Sequence, residues 1–433
     1  MPRLHRTEPI SLLLHTLKWT ILACAVAVLA GSASALFLWA LDWATATRQA
    51  HRWLIWLLPV AGFAVGWVYL RFGQKVEAGN NLLIDEIHAP QATVPLRMAP
   101  LVLGATVVSH LFGASVGREG TAVQMGGALA DQITHWLRLG RDDRRTLLMA
   151  GISAGFASVF GTPLAGAVFG LEVLAKGQLR HAALLPCLLA AVLADQVGLW
   201  WGVHHTHYAI GHIPAISVAT VAAVMLAGVA FGGVGQLFAR STHALSAFMK
   251  RHIAYAPWRP FAGGVVIATV VGLSGLMGQM GQMGQMGQMG QTSIDVDRYL
   301  GLGLPVIVQA FEQPLPAHDF AGKLLFTVAS LGTGFKGGEV TPLFYIGATL
   351  GNALAPLLDL PFGLLAGLGF VAVFAGAANT PIASTLMAME LFGPGVGVFA
   401  AIACAVSYVF SGHTGIYKAQ RGSKAGDAGD EVK

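Results

Sequence analysis

The sequence predicts an all-α polytopic membrane protein whose helices break inside the bilayer. Of its 433 residues, 55% are hydrophobic and 11% are charged, whereas about 25% of the residues in soluble domains are charged. Apolar runs of membrane-spanning length separate the short clusters of charge. Glycine-rich breaks at 113–117 and 332–338 lie between these runs, which is typical of discontinuous helices that meet within the membrane. A water-soluble fold is therefore excluded.

The first apolar run predicts the first membrane helix. A basic start, the run Ile21–Ala30 and the small residues Ala33–Ala35 together imitate a secretory signal with its cleavage site. The apolar character continues beyond that site to Trp43, which gives a stretch long enough to span the bilayer with tilt. We therefore expect a retained helix rather than a signal peptide.

The distribution of charge predicts the topology. The formal net charge of +5 is small and concentrated in loops and chain ends, which does not indicate a nucleic-acid partner. Under the positive-inside rule, clusters of Lys and Arg face the cytoplasm. Such clusters lie at 3–18, 138–145 and 418–433, so both termini are predicted to be cytoplasmic.

Neither cysteine nor histidine indicates a cofactor, and none is predicted. Cys24, Cys187 and Cys404 lie in apolar segments without a C-x-x-C spacing, so neither a disulfide framework nor a zinc site is expected. A short histidine cluster is interpreted as a solvated interfacial loop, with a metal site as the alternative. Its members are His204, His205, His207 and His212.

Two pairs of similar segments reveal an internal repeat. Gly117–Thr121 and Gly337–Thr341 share Gly, Glu and Thr at an offset of 220 residues. Thr162–Ala165 and Thr380–Ala383 match at an offset of 218. Each of these two segments is followed by a glutamate nine residues after its proline, Glu172 in the first half and Glu390 in the second. A transport site is commonly found where such repeats meet.

The repeat divides the chain into two membrane halves and a tail. We expect the halves at 1–205 and 206–418, followed by a cytoplasmic tail at 419–433. Five copies of Met-Gly-Gln at 277–291 interrupt the second half. This tract is interpreted as the expansion of a tolerated loop or helix end, although methionine sulfur could in principle bind soft metal ions.

Glu119 and Glu339 are the outstanding ionisable residues, because each stands beside glycine at the predicted start of an apolar helix. An intramembrane carboxylate is a functional hypothesis by default, with a structural helix cap as the alternative. The free N–H groups and the dipole of a helix start favour an anion. A carboxylate can occupy such a site while ionised and leave it when protonated. We therefore expect anion and proton movement to exclude one another, which is the basis of exchange.

Three ordered motifs resemble those of the CLC family of chloride channels and anion/proton antiporters. G-N-N-L-L at 79–83 is similar to the family's G-S-G-I-P, and G-R-E-G-T at 117–121 to its G-R-E-G-P. G-E-V-T-P at 338–342 is similar to its G-x-F-x-P. The resemblance extends over nearly the whole chain. It implies a homodimer of many-helix subunits in the lipid bilayer, each with its own pathway and with inverted halves.

The resemblance also implies roles for individual residues. Glu119 corresponds to the gating glutamate, Asn80 to the serine that coordinates the central anion, and Tyr417 to the central tyrosine. Asn80 in place of serine, Thr121 in place of proline and the polar motif at 338–342 resemble the fluoride/proton antiporters of bacteria. These export cytoplasmic fluoride against protons across the inner membrane. Fluoride is small and strongly hydrated and suits hard N–H and O–H donors, and the predicted anion-binding residues are Asn80, Gly117, Gly120, Thr121, Val340, Thr341 and Tyr417.

The proton route is expected to differ from that of many chloride/proton antiporters. Those proteins use an internal glutamate at the position that is Val173 here. Glu339 is therefore the predicted proton-coupling partner of Glu119. Glu172 and Glu390 hold equivalent repeat positions near helix ends, and we expect them to be structural.

The sequence leaves two other functions open. A chloride-selective CLC antiporter or a passive anion channel is the nearest alternative. From a different class, an intramembrane hydrolase would depend on Ser153, which lies in a G-x-S-x-G pattern at 151–155 without the strand that normally precedes it. A purely structural scaffold would not explain two glutamates at matching helix starts.

Overall fold

The computed structural model describes residues 8–174, 180–284, 296–412 and 414–421, with backbone alone at 8–10 and 277–284. Within this part of the chain there are sixteen α-helices joined by short 3-10 turns and loops. The helices are α1 (Glu8–Ala50), α2 (Leu58–Phe72), α3 (Asn80–His88), α4 (Met98–Leu111), α5 (Glu119–Trp136), α6 (Arg141–Phe160), α7 (Pro163–Glu172), α8 (Leu184–Trp200), α9 (Val218–His252), α10 (Trp258–Gly284), α11 (Leu304–Glu312), α12 (Asp319–Thr333), α13 (Val340–Leu358), α14 (Phe362–Ala378), α15 (Pro381–Phe392) and α16 (Gly397–Phe410).

The described helices have the lengths and surfaces of a membrane protein. Six segments are long and apolar enough to cross a bilayer. They are Ser11–Ala50, Arg52–Phe72, His181–Trp200, Val218–His252, Trp258–Leu276 and Val340–Leu358. Many large apolar side chains on these helices are exposed, such as Leu226 at 64% and Val266 at 57%, as expected for contact with lipid. The predicted all-α polytopic fold is confirmed, and the apolar N-terminal run continues as one helix well past Ala35.

The protein core lies where the two halves meet and is rich in phenylalanine. Phe156 stacks on Phe169 with 4.3 Å between ring centroids, and Phe344 stacks on Phe370 at 3.9 Å. Phe160, from the first half, lies 5.1 Å from Phe344 in the second. These buried rings join the halves without any polar group that would need a hydrogen-bond partner.

Two broken helices meet at a backbone bridge. The loop between α4 and α5 and the loop between α12 and α13 each contain a glycine with positive φ, Gly113 at +91° and Gly334 at +113°. The N–H of Gly117 donates to the carbonyl of Gly338 at 2.6 Å, and the N–H of Gly338 returns the bond at 2.7 Å. Since these two glycines hold nearly equivalent repeat positions, the bridge has the symmetry expected of a pseudo-two-fold axis between the halves.

A second symmetric contact joins α7 to α15. The carboxylate of Glu172, at the end of α7, accepts hydrogen bonds from the N–H groups of Ile382 at 3.0 Å and Ala383 at 2.8 Å. The carboxylate of Glu390, near the end of α15, accepts from two N–H groups at the start of α7, both at 2.8 Å. Each glutamate thus caps the other's helix. These contacts fit the structural role predicted for both residues.

Lys18, in the first turns of α1, and Arg421, the last described residue, lie on one face of the protein. Lys18 in α1 forms a 2.6 Å ion pair with Asp143, at the start of α6. Arg145 donates to the carbonyl of His88. The ring of His88 and the N–H of Arg421 both bond to the carbonyl of Leu174. We call this side, marked by Lys18, Arg145 and Arg421, the basic face.

Loop 201–217, between α8 and α9, lies on the other side. Helix α6 begins on the basic face at Arg141 and has 20 residues, which is about 30 Å. At its far end, Gly161 packs against the ring of His205. Loop 201–217 therefore belongs to the opposite face.

Three predictions on organisation stay predictions. The division at residue 205 falls in loop 201–217, and α1–α8 and α9–α16 lie on its two sides, but no observation tests the boundaries. Residues 277–284 of the Met-Gly-Gln tract continue α10, while 285–291 lie outside the described residues. The same holds for 422–433 of the predicted tail.

Candidate functional site

Glu119 is the centre of the site. It is the first residue of α5 and is fully buried. Oε2 of its carboxylate accepts the N–H of Thr341 at 3.0 Å and the N–H of Arg118 at 3.2 Å, while Oε1 accepts the hydroxyl of Thr341. The Arg118 Nε lies 3.4 Å from Oε1. The carboxylate from the first broken helix thus occupies the N-terminus of α13, the second broken helix, where an anion is favoured.

Glycine allows the two broken helices to approach this closely. A Cβ placed on Gly338 would lie 2.8 Å from the amide nitrogen of Gly120. A Cβ placed on Gly117 would lie 2.8 Å from Cδ of Pro342. Neither position can hold a larger residue without moving backbone or a ring. The predicted site residues Gly117 and Gly120 therefore serve the packing of the loops.

Asn80 brings a third helix start to the same place. It begins α3 after Gly79, which has φ of +59°. The Asn80 amide Nδ2 packs against Gly120, 3.2 Å from the position of a Cβ there. Its carbonyl Oδ1 is buried and has no hydrogen-bond partner among the described residues. The amide side chain therefore has unused hydrogen-bonding capacity next to the gating loop.

Tyr417 reaches the site from the C-terminal segment. Its side chain is buried and interacts electrostatically with both Glu339 and Glu119. The segment is fixed on each side of the tyrosine. The N–H of Ile416 donates to the carbonyl of Ala377 at 2.8 Å, and the N–H of Ala419 donates to Oδ1 of Asn81 at 2.9 Å. Asn81 follows Asn80, so the tyrosine segment is tied to the helix that presents the asparagine.

Glu339 lies directly before α13 but does not cap it. The residue holds the N-cap position, and its side chain makes no capping hydrogen bond. Among the described residues no group hydrogen-bonds or pairs with its carboxylate. The structural alternative of a helix cap thus finds no support in the geometry. Val340, the next residue, is buried and joins Glu339 to Thr341.

Two predicted anion ligands use their polar groups elsewhere. The hydroxyl of Thr121 lies 2.7 Å from that of Thr106 in α4. The N–H of Gly117 is taken by the bridge to Gly338. The structure does not bring these two donors to the carboxylate of Glu119, and their role in anion binding stays a prediction.

Sequence reasoning missed Arg118, although the residue contacts the gate through both backbone and side chain. A signal was present, because an arginine inside a membrane segment is as unusual as the glutamate beside it. Arg118 also lines a narrow cavity of about 10 Å³, which has room for about one water. The cavity lies against Glu119 and Thr341 and is lined also by Phe160, His205, Thr206, Tyr208, Leu304, Ile307, Phe344, Phe370 and Leu391.

The residues behind the other chemical hypotheses have ordinary surroundings. Ser153 is fully buried in α6, and its hydroxyl donates to the carbonyl of Ala167 at 3.3 Å rather than to a base. Within the described ranges, no three His, Cys, Asp or Glu residues are grouped so that they could hold a metal ion.

The fold and the site define a membrane transport protein for ions. A carboxylate held at the start of a broken helix inside a helical membrane bundle is a place where an anion and a proton can be exchanged. Residues 61–412 match the family described as voltage gated chloride channel, and the chain belongs to this family. The resemblance inferred from the three motifs is thereby confirmed.

Known relatives and a solved structure agree with this assignment. The chain is 65% identical to the chloride/fluoride channel protein of Pseudomonas syringae pv. tomato over 421 residues, 97% of this chain and 90% of that protein. It is 27% identical to the H(+)/Cl(-) exchange transporter ClcA of Vibrio vulnificus over 420 residues, 89% of this chain and 83% of that protein. The crystal structure of a CLC-type fluoride/proton antiporter matches with a TM-score of 0.86 and 35% identity, covering 94% of this chain and 98% of that chain.

Proposed function

We propose that this protein is a fluoride/proton antiporter that exports cytoplasmic fluoride in exchange for protons. The observation that carries the proposal is the position of the Glu119 carboxylate at the start of α13, where it accepts the N–H and the hydroxyl of Thr341. A small anion that replaced the carboxylate would use the same donors. The names of the Pseudomonas relative and of the solved antiporter support fluoride as that anion.

Competition for one site couples the two ions. While ionised, Glu119 holds the site through charge-assisted hydrogen bonds. When it takes up a proton it loses its charge and much of that attraction, and fluoride can then take its place. When Glu119 releases its proton, the ionised carboxylate returns to the site and displaces the anion. The inward proton gradient thereby drives fluoride outwards.

The donors around the site suit fluoride better than chloride. Fluoride holds its water strongly, so only hard N–H and O–H donors can replace that water. Thr341 offers both kinds, and Asn80 adds its amide Nδ2 as an N–H donor, which makes no hydrogen bond within the described residues. Tyr417 adds a buried hydroxyl nearby.

Glu339 is the proposed partner of Glu119 in proton coupling. Its carboxylate accepts no hydrogen bond and forms no ion pair within the described residues, and it is joined through Val340 to Thr341, which binds Glu119. Val173, at the position of the internal glutamate of many chloride antiporters, is apolar and buried. Glu339 is thus the ionisable residue best placed to assist proton transfer at the start of α13.

We further propose that the protein is a homodimer in the bacterial inner membrane with both termini in the cytoplasm. The topology is supported by the basic face, since Lys18, Arg145 and Arg421 lie on that side and Lys and Arg are retained on the cytoplasmic side. The start of α1 and the end of the described chain both lie there. The opposite face, with loop 201–217, is then outside.

Liposomes test the proposal. Purified protein in vesicles should release fluoride far faster than chloride under matched gradients, with simultaneous uptake of protons recorded by a pH electrode. Equal or faster release of chloride would indicate the chloride antiporter instead. Fluoride release without proton movement at controlled voltage would indicate a passive channel.

A further inference from the structure

The histidine loop on the opposite face contains one residue that differs from its neighbours. His204 and His207 are exposed, whereas the side chain of His205 is only 15% exposed. His205 lines the same narrow cavity as Glu119 and Thr341. This single imidazole thus stands between the solvent of the opposite face and the gating carboxylate.

Asp195 of α8 faces that imidazole. Its Oδ1 lies 3.4 Å from Nε2 of His205, and its side chain is 10% exposed. Both atoms are buried, and neither makes a hydrogen bond within the described part of the chain. The geometry therefore lets a proton on the imidazole nitrogen point at the carboxylate oxygen of Asp195.

The imidazole of His205 packs closely against the end of α6. Gly161, at the end of α6, has φ of +70°, and a Cβ there would lie 2.5 Å from Cδ2 of His205. Glycine at this position therefore makes room for the imidazole. The loop residue is seated against α6 and α8 rather than free in solvent.

We propose that His205 and Asp195 form a proton relay that connects the opposite face with Glu119 through the cavity. The inference deepens the proposed antiport and depends on it. Imidazole is the side chain that accepts and releases protons near neutral pH. The cavity has room for about one water, and transfer to a carboxylate through one water is within the reach of a general acid.

The proton balance of the relay is simple. A hydronium ion of the external solution gives a proton to neutral His205 and becomes water, and the imidazolium pairs with the carboxylate of Asp195. The imidazolium then gives a proton, through the water, to the Glu119 carboxylate, which becomes a neutral acid and releases the donors of Thr341. His205 returns to its neutral form, and no bond other than those to the proton changes.

The charges around the cavity explain why such a relay is needed. The Arg118 guanidinium lies beside Glu119, and the walls include Phe160 and Phe344. The positive charge of Arg118 would repel a bare hydronium ion, and the phenylalanine rings would solvate it poorly. A protonated His205 paired with Asp195 carries no net charge. Ionisable groups near the pair also include Glu390, Tyr208 of the cavity wall, and His204 and His207 of the same loop.

The test uses the full-length protein in liposomes, with His205→Gln as the main variant. Glutamine keeps polar atoms at the site but cannot carry the proton. Fluoride-driven proton uptake at an external pH of about 7.5 should fall about tenfold or more, the range of a general acid. At an external pH of about 5, where hydronium is abundant, the deficit should shrink to about twofold. His207→Gln, in the same loop but exposed, is the matched control and should match the wild type.

Chemical rescue separates a relay from a structural role. In His205→Ala, added imidazole should restore proton uptake, because a small buffer can fill the space and carry the proton. Asp195→Asn should show the same dependence on external pH as His205→Gln. Wild-type proton uptake by His205→Gln at pH near 7.5 would overturn the relay, and so would an equal loss at both pH values without rescue. A wild-type protein without any fluoride-driven proton uptake would instead contradict the proposed function itself.

Discussion

In the proposed mechanism, Glu119 uses the same donors as the anion with which it competes. Glu119 takes both an N–H and a hydroxyl from Thr341. Hydrogen bonds to a charged group contribute about 1.5–3 kcal/mol each, so two of them hold the carboxylate in place by about 3–6 kcal/mol while it is ionised. A competing anion therefore gains the site mainly when protonation has weakened those bonds.

Glu119→Gln removes the charge and the ability to exchange a proton while keeping the shape of the side chain. Proton uptake driven by fluoride should fall to the background of empty liposomes, since no other carboxylate in the described part of the chain binds these donors. Fluoride flux itself can rise, if the path opens, or stop, if exchange is required. The measurement is proton uptake during fluoride efflux at controlled voltage.

Glu339→Ala provides a comparison for that variant. It should impair fluoride turnover or its proton coupling and leave a folded protein, because the carboxylate makes no contact that stabilises α13. Unchanged fluxes of both ions would remove Glu339 from the mechanism. Proton uptake at the wild-type rate in Glu119→Gln would exclude Glu119 as the exchanging group.

The internal repeat of the sequence is visible in the structure as symmetric contacts between pairs of helices. The mutual caps of Glu172 and Glu390 join equivalent positions of the two halves, and the bridge between Gly117 and Gly338 joins positions that are equivalent to within one residue. The site loops and the α7–α15 pair are thus built by the same symmetry. The caps fix α7 directly after Gly161, the residue against which His205 packs, so they also support the wall of the cavity.

Glu390→Ala should lower stability more than it lowers the intrinsic transport rate. It leaves the N–H groups of Leu164 and Ala165 without their acceptor, at a cost of about 1–3 kcal/mol. Thermal unfolding in detergent should show a lower midpoint than that of Glu312→Ala, a matched control at an exposed glutamate. Equal midpoints would show that the cap contributes little, and loss of transport at unchanged stability would give Glu390 a direct role.

Across the whole molecule, the sequence predicted the helices, their breaks and the position of Glu119 at the start of a broken helix. Hydropathy and glycine were sufficient for this, because a carboxylate beside glycine at the start of an apolar helix has few structural uses. The sequence could not predict which neighbour each side chain at a helix start would contact. Thr121 therefore turns to Thr106, away from the carboxylate that lies two residues earlier.

Loops were the other limit of prediction. His205 has no periodic neighbours, so nothing in the sequence separated it from His204 and His207, and its burial depends on Gly161 and Asp195 from distant parts of the chain. Arg118 had a signal that was overlooked. For the Met-Gly-Gln tract, composition predicted a segment in which insertions are tolerated. It did not predict how far into the tract α10 would continue.

Deletion of residues 280–288, three Met-Gly-Gln units, should leave transport and stability unchanged. The segment Trp258–Leu276 has 19 residues, about 28 Å of helix, which already matches the hydrocarbon thickness of about 30 Å. The tract thus extends beyond the span, and shortening a connection changes its closure entropy little. Fluoride efflux and the unfolding midpoint are the measurements. Deletion of Val265–Ile267, three residues inside the span, is the matched control and should abolish efflux, because it shortens the span by about 4.5 Å and rotates the rest of α10 by about 60° relative to α2. Loss of efflux in the tract deletion, in protein that still elutes like the wild type, would show that the tract takes part in transport.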